Sequence, residues 1–240
     1  LVAAEIIVIT LVAINMSATA VAREREDGTL DLILTTPIQP GPYIAGKLRG
    51  IVQFLAPMMA VPITSMFIVA IFVICDGFGR GATASIPNPL GGNALVLPLV
   101  LPEVVIALIL VLVPFTAFCV MVGLQWSIRS KSTISSVVFS VLTAGSVLGL
   151  LSLCGIPAGA NFSFLGAFIE SFSPINVLYA SSYPVKMIPD ALNDNIVTAR
   201  LMLVIGAVVG ALIYSLIVWA MYANMKRGFM MTVRRLAGTA

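Results

Sequence analysis

Five stretches of the chain contain no Asp, Glu, Lys or Arg: Ile6 to Ala22, Gly50 to Cys75, Val104 to Ile128, Ser132 to Ile169 and Leu201 to Met225. A helix crosses the hydrocarbon of a bilayer with about 20 apolar residues. Each run therefore predicts a spanning helix, near 1–22, 50–75, 103–127, 133–153 and 200–224, and the fourth run is too long for one crossing. The runs lack the alternation of a membrane barrel and far exceed its strands of about 10 residues. Only 10% of the 240 residues are charged and 60% are apolar, whereas a soluble domain carries roughly 25% charge. The fold class is an all-α polytopic membrane protein, read as a single transmembrane domain over 1–240.

Chemistry is limited from the start. The chain has no His, which removes imidazole-ligated haem, His-based zinc sites and Ser-His or Cys-His dyads. Cys75, Cys119 and Cys154 lie far apart without a CxxC pair, and read as buried apolar thiols. No catalytic residue, cofactor or metal site is expected, and no nucleic-acid partner. An intramembrane enzyme is the weakest reading of the chain.

The basic residues orient the helices, because Lys and Arg near helix ends resist translocation. Arg23, Arg25, Lys47 and Arg49 flank the first connection, Arg129 and Lys131 sit in the third, and Lys226, Arg227, Arg234 and Arg235 form the tail, together ten of the thirteen bases. The first and third connections and the C-terminus are therefore expected on the cytoplasmic side, with Trp126, Trp219 and Tyr222 as aromatic anchors there. Five crossings with a cytoplasmic C-terminus put Leu1 on the outer side. Since Leu1 is not Met and no signal peptide is evident, a further upstream helix, giving six crossings, is the simplest expectation.

One cytoplasmic segment, 23–49, mixes charge with apolar periodicity. After the cluster Arg23-Glu24-Arg25-Glu26-Asp27, Gly28 permits a turn, and Asp27 or Thr29 can cap a short helix reaching about Thr35. Leu30, Ile33 and Leu34 form one apolar stripe, with Asp31 off it near the favourable N-terminal dipole. Pro37 ends the element. The second connection, Asp76 to about Pro102, is rich in Gly and Pro and reads as an irregular outer loop. The outer segment 154–190 is apolar and aromatic yet broken by Gly155, Pro157, Gly159, Gly166, Pro174 and Pro184, which predicts short, non-spanning helices.

Other motifs carry less. Gly41 to Lys47 spells GxxxxGK, but Leu48 follows where a P-loop needs Ser or Thr, and no strand precedes it. It is read as a loop entering the second helix, with Lys47 and Arg49 at lipid headgroups. Gly145 and Gly149, and Gly206 and Gly210, form small-xxx-small faces for helix packing. Pro57, Pro62 and Pro114 are candidate kinks. Glu5, Glu103 and Glu170 are the acids nearest the membrane and are expected exposed at its outer interface. Asn161-Phe162-Ser163 fits the glycosylation triplet, a pattern too short to weigh.

The run Ala22-Arg-Glu-Arg-Glu-Asp-Gly-Thr-Leu-Asp-Leu-Ile-Leu-Thr-Thr-Pro37-Ile38, followed by Ile44-Ala-Gly-Lys-Leu48, resembles the "ERE-x-GTL-(D/E)-LL-x-T-P … GK" segment of permease subunits of type 2 ATP-binding cassette (ABC) exporters. The motif covers about 26 residues. The broken outer segment and the Arg-rich end, Met231 to Leu236, are similar in layout. The resemblance implies six crossings in the bacterial inner membrane, a separate cassette-type ATP-binding subunit and a second permease subunit, identical or sister. It implies that Glu24, Glu26, Gly28, Thr29, Leu30, Asp31, Ile33, Leu34 and Pro37 form the coupling surface for the ATP-binding subunit. The rival readings are a secondary transporter or channel, or a membrane assembly protein. Against the first, the spanning interiors show almost no charge.

Overall fold

The computed structural model describes residues 1–28, 40–86, 95–130, 132–161, 165–183 and 196–236. Among them five helices are long and apolar enough to cross a membrane: α1 (Val2–Glu26), α2 (Pro40–Ile74), α3 (Val104–Arg129), α4 (Thr133–Asn161) and α7 (Ile196–Leu236). Two short helices, α5 (Leu165–Glu170) and α6 (Pro174–Ser182), precede α7, and a small antiparallel hairpin of β1 (Thr83–Ile86) and β2 (Leu95–Pro98) precedes α3. The molecule is an all-α polytopic membrane protein with this one two-stranded addition.

Four helix ends differ from the sequence expectation. α2 begins at Pro40, so the GxxxxGK stretch is helix and not an entering loop; Pro40 and Pro42 fall in the first turn, where the missing N–H groups would have no helical partner. At about 1.5 Å per residue its 35 residues run to roughly 52 Å, well beyond the hydrocarbon thickness. α4 continues through Pro157 to Asn161, and α1 and α7 carry their helical bonding into the charged residues that follow the apolar runs. The expected irregular loop contains the hairpin, in which TASI and LVLP pair in register from Thr83↔Pro98 to Ile86↔Leu95.

Helix termination follows backbone chemistry. α1 stops at Gly28, whose φ of 70° is in the left-handed region where a Cβ would be strained. After α2, Asp76, Gly77, Phe78, Gly79 and Gly81 all take positive φ, and Asp76 Oδ1 accepts the Ala82 N–H at 3.1 Å to close the turn.

The chain divides into two compact units. The first comprises 1–6, 60–113 and 148–212, and the second 7–59, 114–147 and 213–240. In the first unit, Ala107 and Val111 of α3 pack with Ala167 of α5, Val177 and Ala180 of α6, and Leu203 and Ala207 of α7. Ile6, Met66, Val104, Leu108, Leu112 and Leu178 form its second cluster.

In the second unit, the core joins Ala13 and Val21 of α1, Ile44, Ile51 and Leu55 of α2, Val120, Met121, Leu124 and Ile128 of α3, and Met225 of α7. α3 supplies residues to every one of these clusters, and 61% of its most apolar stretch is buried against 11% for α4.

Within the second unit α1 and α3 run in direct contact at Gly123. A Cβ there would fall 1.9 Å from Ser17 Oγ and 3.1 Å from the Ala18 nitrogen. One turn on, Ser127 Oγ accepts from the N–H groups of Val21 (3.0 Å) and Ala22 (2.9 Å), and Ser136 Oγ of α4 donates to the Ala18 carbonyl at 2.9 Å. Small residues let membrane helices approach, and buried hydroxyls then bond across.

Gly123→Ala should push the two helices apart and destabilise the protein by about 1–3 kcal/mol. A thermal melt in detergent reads the loss, and adding Ser17→Gly should recover much of it. An unchanged melt for the single variant would show that the helices do not touch there.

Candidate functional site

The residues at the end of α1 fasten three neighbours. Successive helical residues point about 100° apart, so Glu24, Arg25 and Glu26 face three directions. The Glu24 carboxylate accepts from the Tyr43 hydroxyl and from Lys47 Nζ, both on α2. Glu24 and Lys47 are each about three-quarters withdrawn from solvent, and Lys47 Nζ lies 5.9 Å from the Tyr43 ring centre. Arg25 Nη2 donates to the Ser130 carbonyl. Glu26 accepts the Thr133 N–H on Oε1 and its hydroxyl on Oε2, both at 2.7 Å.

Glu26 thus serves as the cap of α4. The first amides of a helix have no partner within it and attract negative charge, and here the carboxylate comes from another helix. By contrast Arg23 and Asp27, 4.0 Å apart and 80% and 62% exposed, contribute little, as exposed i,i+4 pairs do.

The residues between these anchors begin at Gly28, in its left-handed turn. Thr29, Leu30, Asp31, Ile33, Leu34 and Pro37 lie outside the described residues. The connection that carries them therefore leaves from one end of a Glu24–Lys47 clasp and returns at the other. Tyr43, Lys47, Arg25 and Thr133 were not among the residues expected from sequence at this site. The spacing of Tyr43 and Lys47, four apart on one helical face, is the signal that pairs them with an acid.

The glycine motifs separate. A Cβ at Gly206 would lie 2.7 Å from the Phe168 carbonyl oxygen and 2.9 Å from Ser171 Oγ, and one at Gly210 would lie 3.6 Å from Phe172. Their neighbours are α5 and the turn after it, not a spanning helix. Gly145 and Gly149 have nothing within 4 Å among the described residues.

The acids and thiols correct two expectations. Glu103 is ion-paired with Arg200, and Glu170 is completely buried, so it is not an exposed interface residue. Cys119 is buried as expected, but Cys75 and Cys154 are exposed on the chain, since α2 and α4 turn much of their surface outward.

Compared with known proteins, residues 4–227 match the family model described as ABC-2 family transporter protein. No curated protein and no solved structure matches the chain.

Reversing one partner of the clasp, Glu24→Lys, should lower thermal stability by about 1–2 kcal/mol, and the exchange Glu24→Lys with Lys47→Glu should restore most of it. A double-mutant cycle on the melting midpoint measures this. Additive losses would show that the two side chains do not meet.

Proposed function

The chain belongs to the ABC-2 family of transporter proteins, and on that footing we propose that it forms the export pathway of a transporter energised by a separate ATP-binding subunit. Family membership makes it the membrane subunit of an ABC transporter and a multi-pass membrane protein, with five helices suited to crossing. The proposal adds the direction of transport, the docking site and the sidedness.

The observation that carries the docking site is the clasp. Residues 29–39 leave and re-enter a frame in which Glu24 is bonded to Tyr43 and Lys47, Arg25 to Ser130 and Glu26 to Thr133. A partner gripping Leu30, Ile33 and Leu34 in an apolar groove, with Asp31, Thr29 and Pro37 setting register, would pull on α1, α2 and α4 together. An apolar helix face in a groove with a charged rim is an ordinary mode of recognition. A loose loop would absorb the partner's movement, whereas a clasped one passes it on.

The basic residues around this segment and along the tail support a cytoplasmic side for both and for the C-terminus, and the proposed membrane is the bacterial inner one. A second permease chain, identical or sister, completes the pathway. The Gly145–Gly149 face of α4, open among the described residues, is the surface offered to it. Lipid occupies the remaining apolar surface.

Replacing Leu30 and Leu34 together by Asp should release a co-purifying ATP-binding subunit and abolish transport-linked ATP hydrolysis while the chain still inserts and melts as before. Co-purification of the complex at the wild-type level would sink the docking assignment.

A further inference from the structure

Glu170 ends α5, outside the five spanning helices. It is fully buried, and neither carboxyl oxygen has a hydrogen-bond partner among the described residues. Beside it Asn176 of α6, also fully buried, donates through Nδ2 to the Leu151 carbonyl of α4 at 3.3 Å, while its Oδ1 has no partner among the described residues. A Cβ at Gly155 of α4 would lie 2.1 Å from Asn176 Nδ2 and 3.7 Å from the Glu170 Cα. One small region of the first unit therefore holds the acceptors of Glu170 and Asn176 without the donors to match them.

An ionised carboxylate there would add a charge to a site already short of donors. Unpaired charges are not kept in such places; the group takes a proton instead. The protonated acid is also a hydrogen-bond donor, which is what the region lacks.

Among the described residues the surroundings supply no counter-charge. Four elements pack around this region: α3 through Ala107 and Val111, α4 through Gly155, α6 through Asn176 and α7 through Gly206. Their titratable groups within the first unit are Cys154, which is exposed, Tyr179, and Arg200, which is committed to Glu103 at the approach to α3. None of the described side-chain cations reaches Glu170.

We propose that Glu170 is a proton-binding site whose neutral carboxyl locks α5 and α6 against α4 and α7, and whose ionisation releases that pair. The contacts at stake are small and specific. Ser171 Oγ, one residue on, donates to the Leu203 carbonyl of α7 at 2.8 Å, Ser173 Oγ lies 3.1 Å from Ser152 Oγ of α4, and the Phe168 backbone rests on Gly206.

Burial pushes the Glu170 carboxyl up to about 8. Because the folded value lies above the unfolded one, the locked form binds the extra proton. Its stability is whole below the ordinary carboxylate range, falls as pH rises through that window to about 8, and is lowest above it.

The test uses the full chain in lipid nanodiscs. Infrared difference spectra should show a protonated-carboxyl C=O band at about pH 6 that is gone by about pH 10, absent in Glu170→Gln and shifted in Glu170→Asp. Across the same range, α5–α6 amide protection, corrected for intrinsic exchange, should fall at least about tenfold in the wild type and stay high in Glu170→Gln. A Glu170 already ionised at about pH 6 would overturn the proposal. So would a band that changes when sodium replaces choline at fixed pH, which marks a cation site, or protection that falls equally in Glu170→Gln. Should Glu170→Gln fail to insert, Glu170→Asp alone assigns the band, and a wild type without any titrating band settles the matter against the proposal.

Discussion

The contact between α1 and α3 at Gly123 sets the orientation of α1 within its unit. Lipid tails are as apolar as leucine, so burial alone does not tell one membrane helix how to face another. Here a missing side chain does. With Ser17 and Ala18 seated on Gly123, Ser127 reaches the amides of Val21 and Ala22, and Ser136 reaches the carbonyl of Ala18. Those bonds fix the rotation of α1 about its axis. The directions of Glu24, Arg25 and Glu26 follow, since each residue further along a helix turns by a set angle. The clasp on α2 and the cap on α4 thus depend on a packing event one to two turns earlier in α1.

The long helices were legible because a bilayer leaves few options: with no water to bond stray amides, an apolar run must be helical, and Val104–Arg129 begins and ends where the charges say it should. Helix ends were less legible. The sequence predicts that α4 ends near 153, ahead of Gly155 and Pro157, but one proline removes one backbone bond, and tertiary contact at Gly155 holds the helix beyond it. Nor did local pattern identify which small residues matter. Cys119, Gly123 and Ser127 repeat every four residues much as Gly145 and Gly149 do, and only the identity of the neighbour, Ser17, separates the crossing that exists from a face that is open. At the candidate site Glu24 and Glu26 stand out as charges in a poor background, yet the sequence places Lys47 at headgroups and gives Tyr43 no role, because pairing across 19 and 23 residues is a tertiary fact.

Four of the described acids are handled in two ways. Glu24, Glu26 and Glu103 are each given donors, from Tyr43 and Lys47, from Thr133 and from Arg200. They hold elements together, and at Glu26 the two Thr133 donors hold the carboxyl below its ordinary value. Glu170 has none among the described residues, although Arg200 belongs to α7 in the same unit. Its placement at the end of a six-residue helix puts a costly charge on a short element.

That pairing of a costly ionisation with a short element has a mechanical meaning. In an ion pair the opposite charge offsets part of the desolvation cost, so closing the structure around Glu24 and Lys47 is penalised less. A lone carboxyl has no such offset: closure penalises its charge, and its charge penalises closure. Protonation therefore weakens closure around an ion-paired carboxylate and favours it around a lone one. In a long spanning helix the same penalty would be shared by many backbone bonds and buried side chains and would move little. In α5 and α6 it opposes the contacts of two short helices, among them Ser171 to Leu203, Ser173 to Ser152 and Phe168 on Gly206, so one proton weighs against an element small enough to respond.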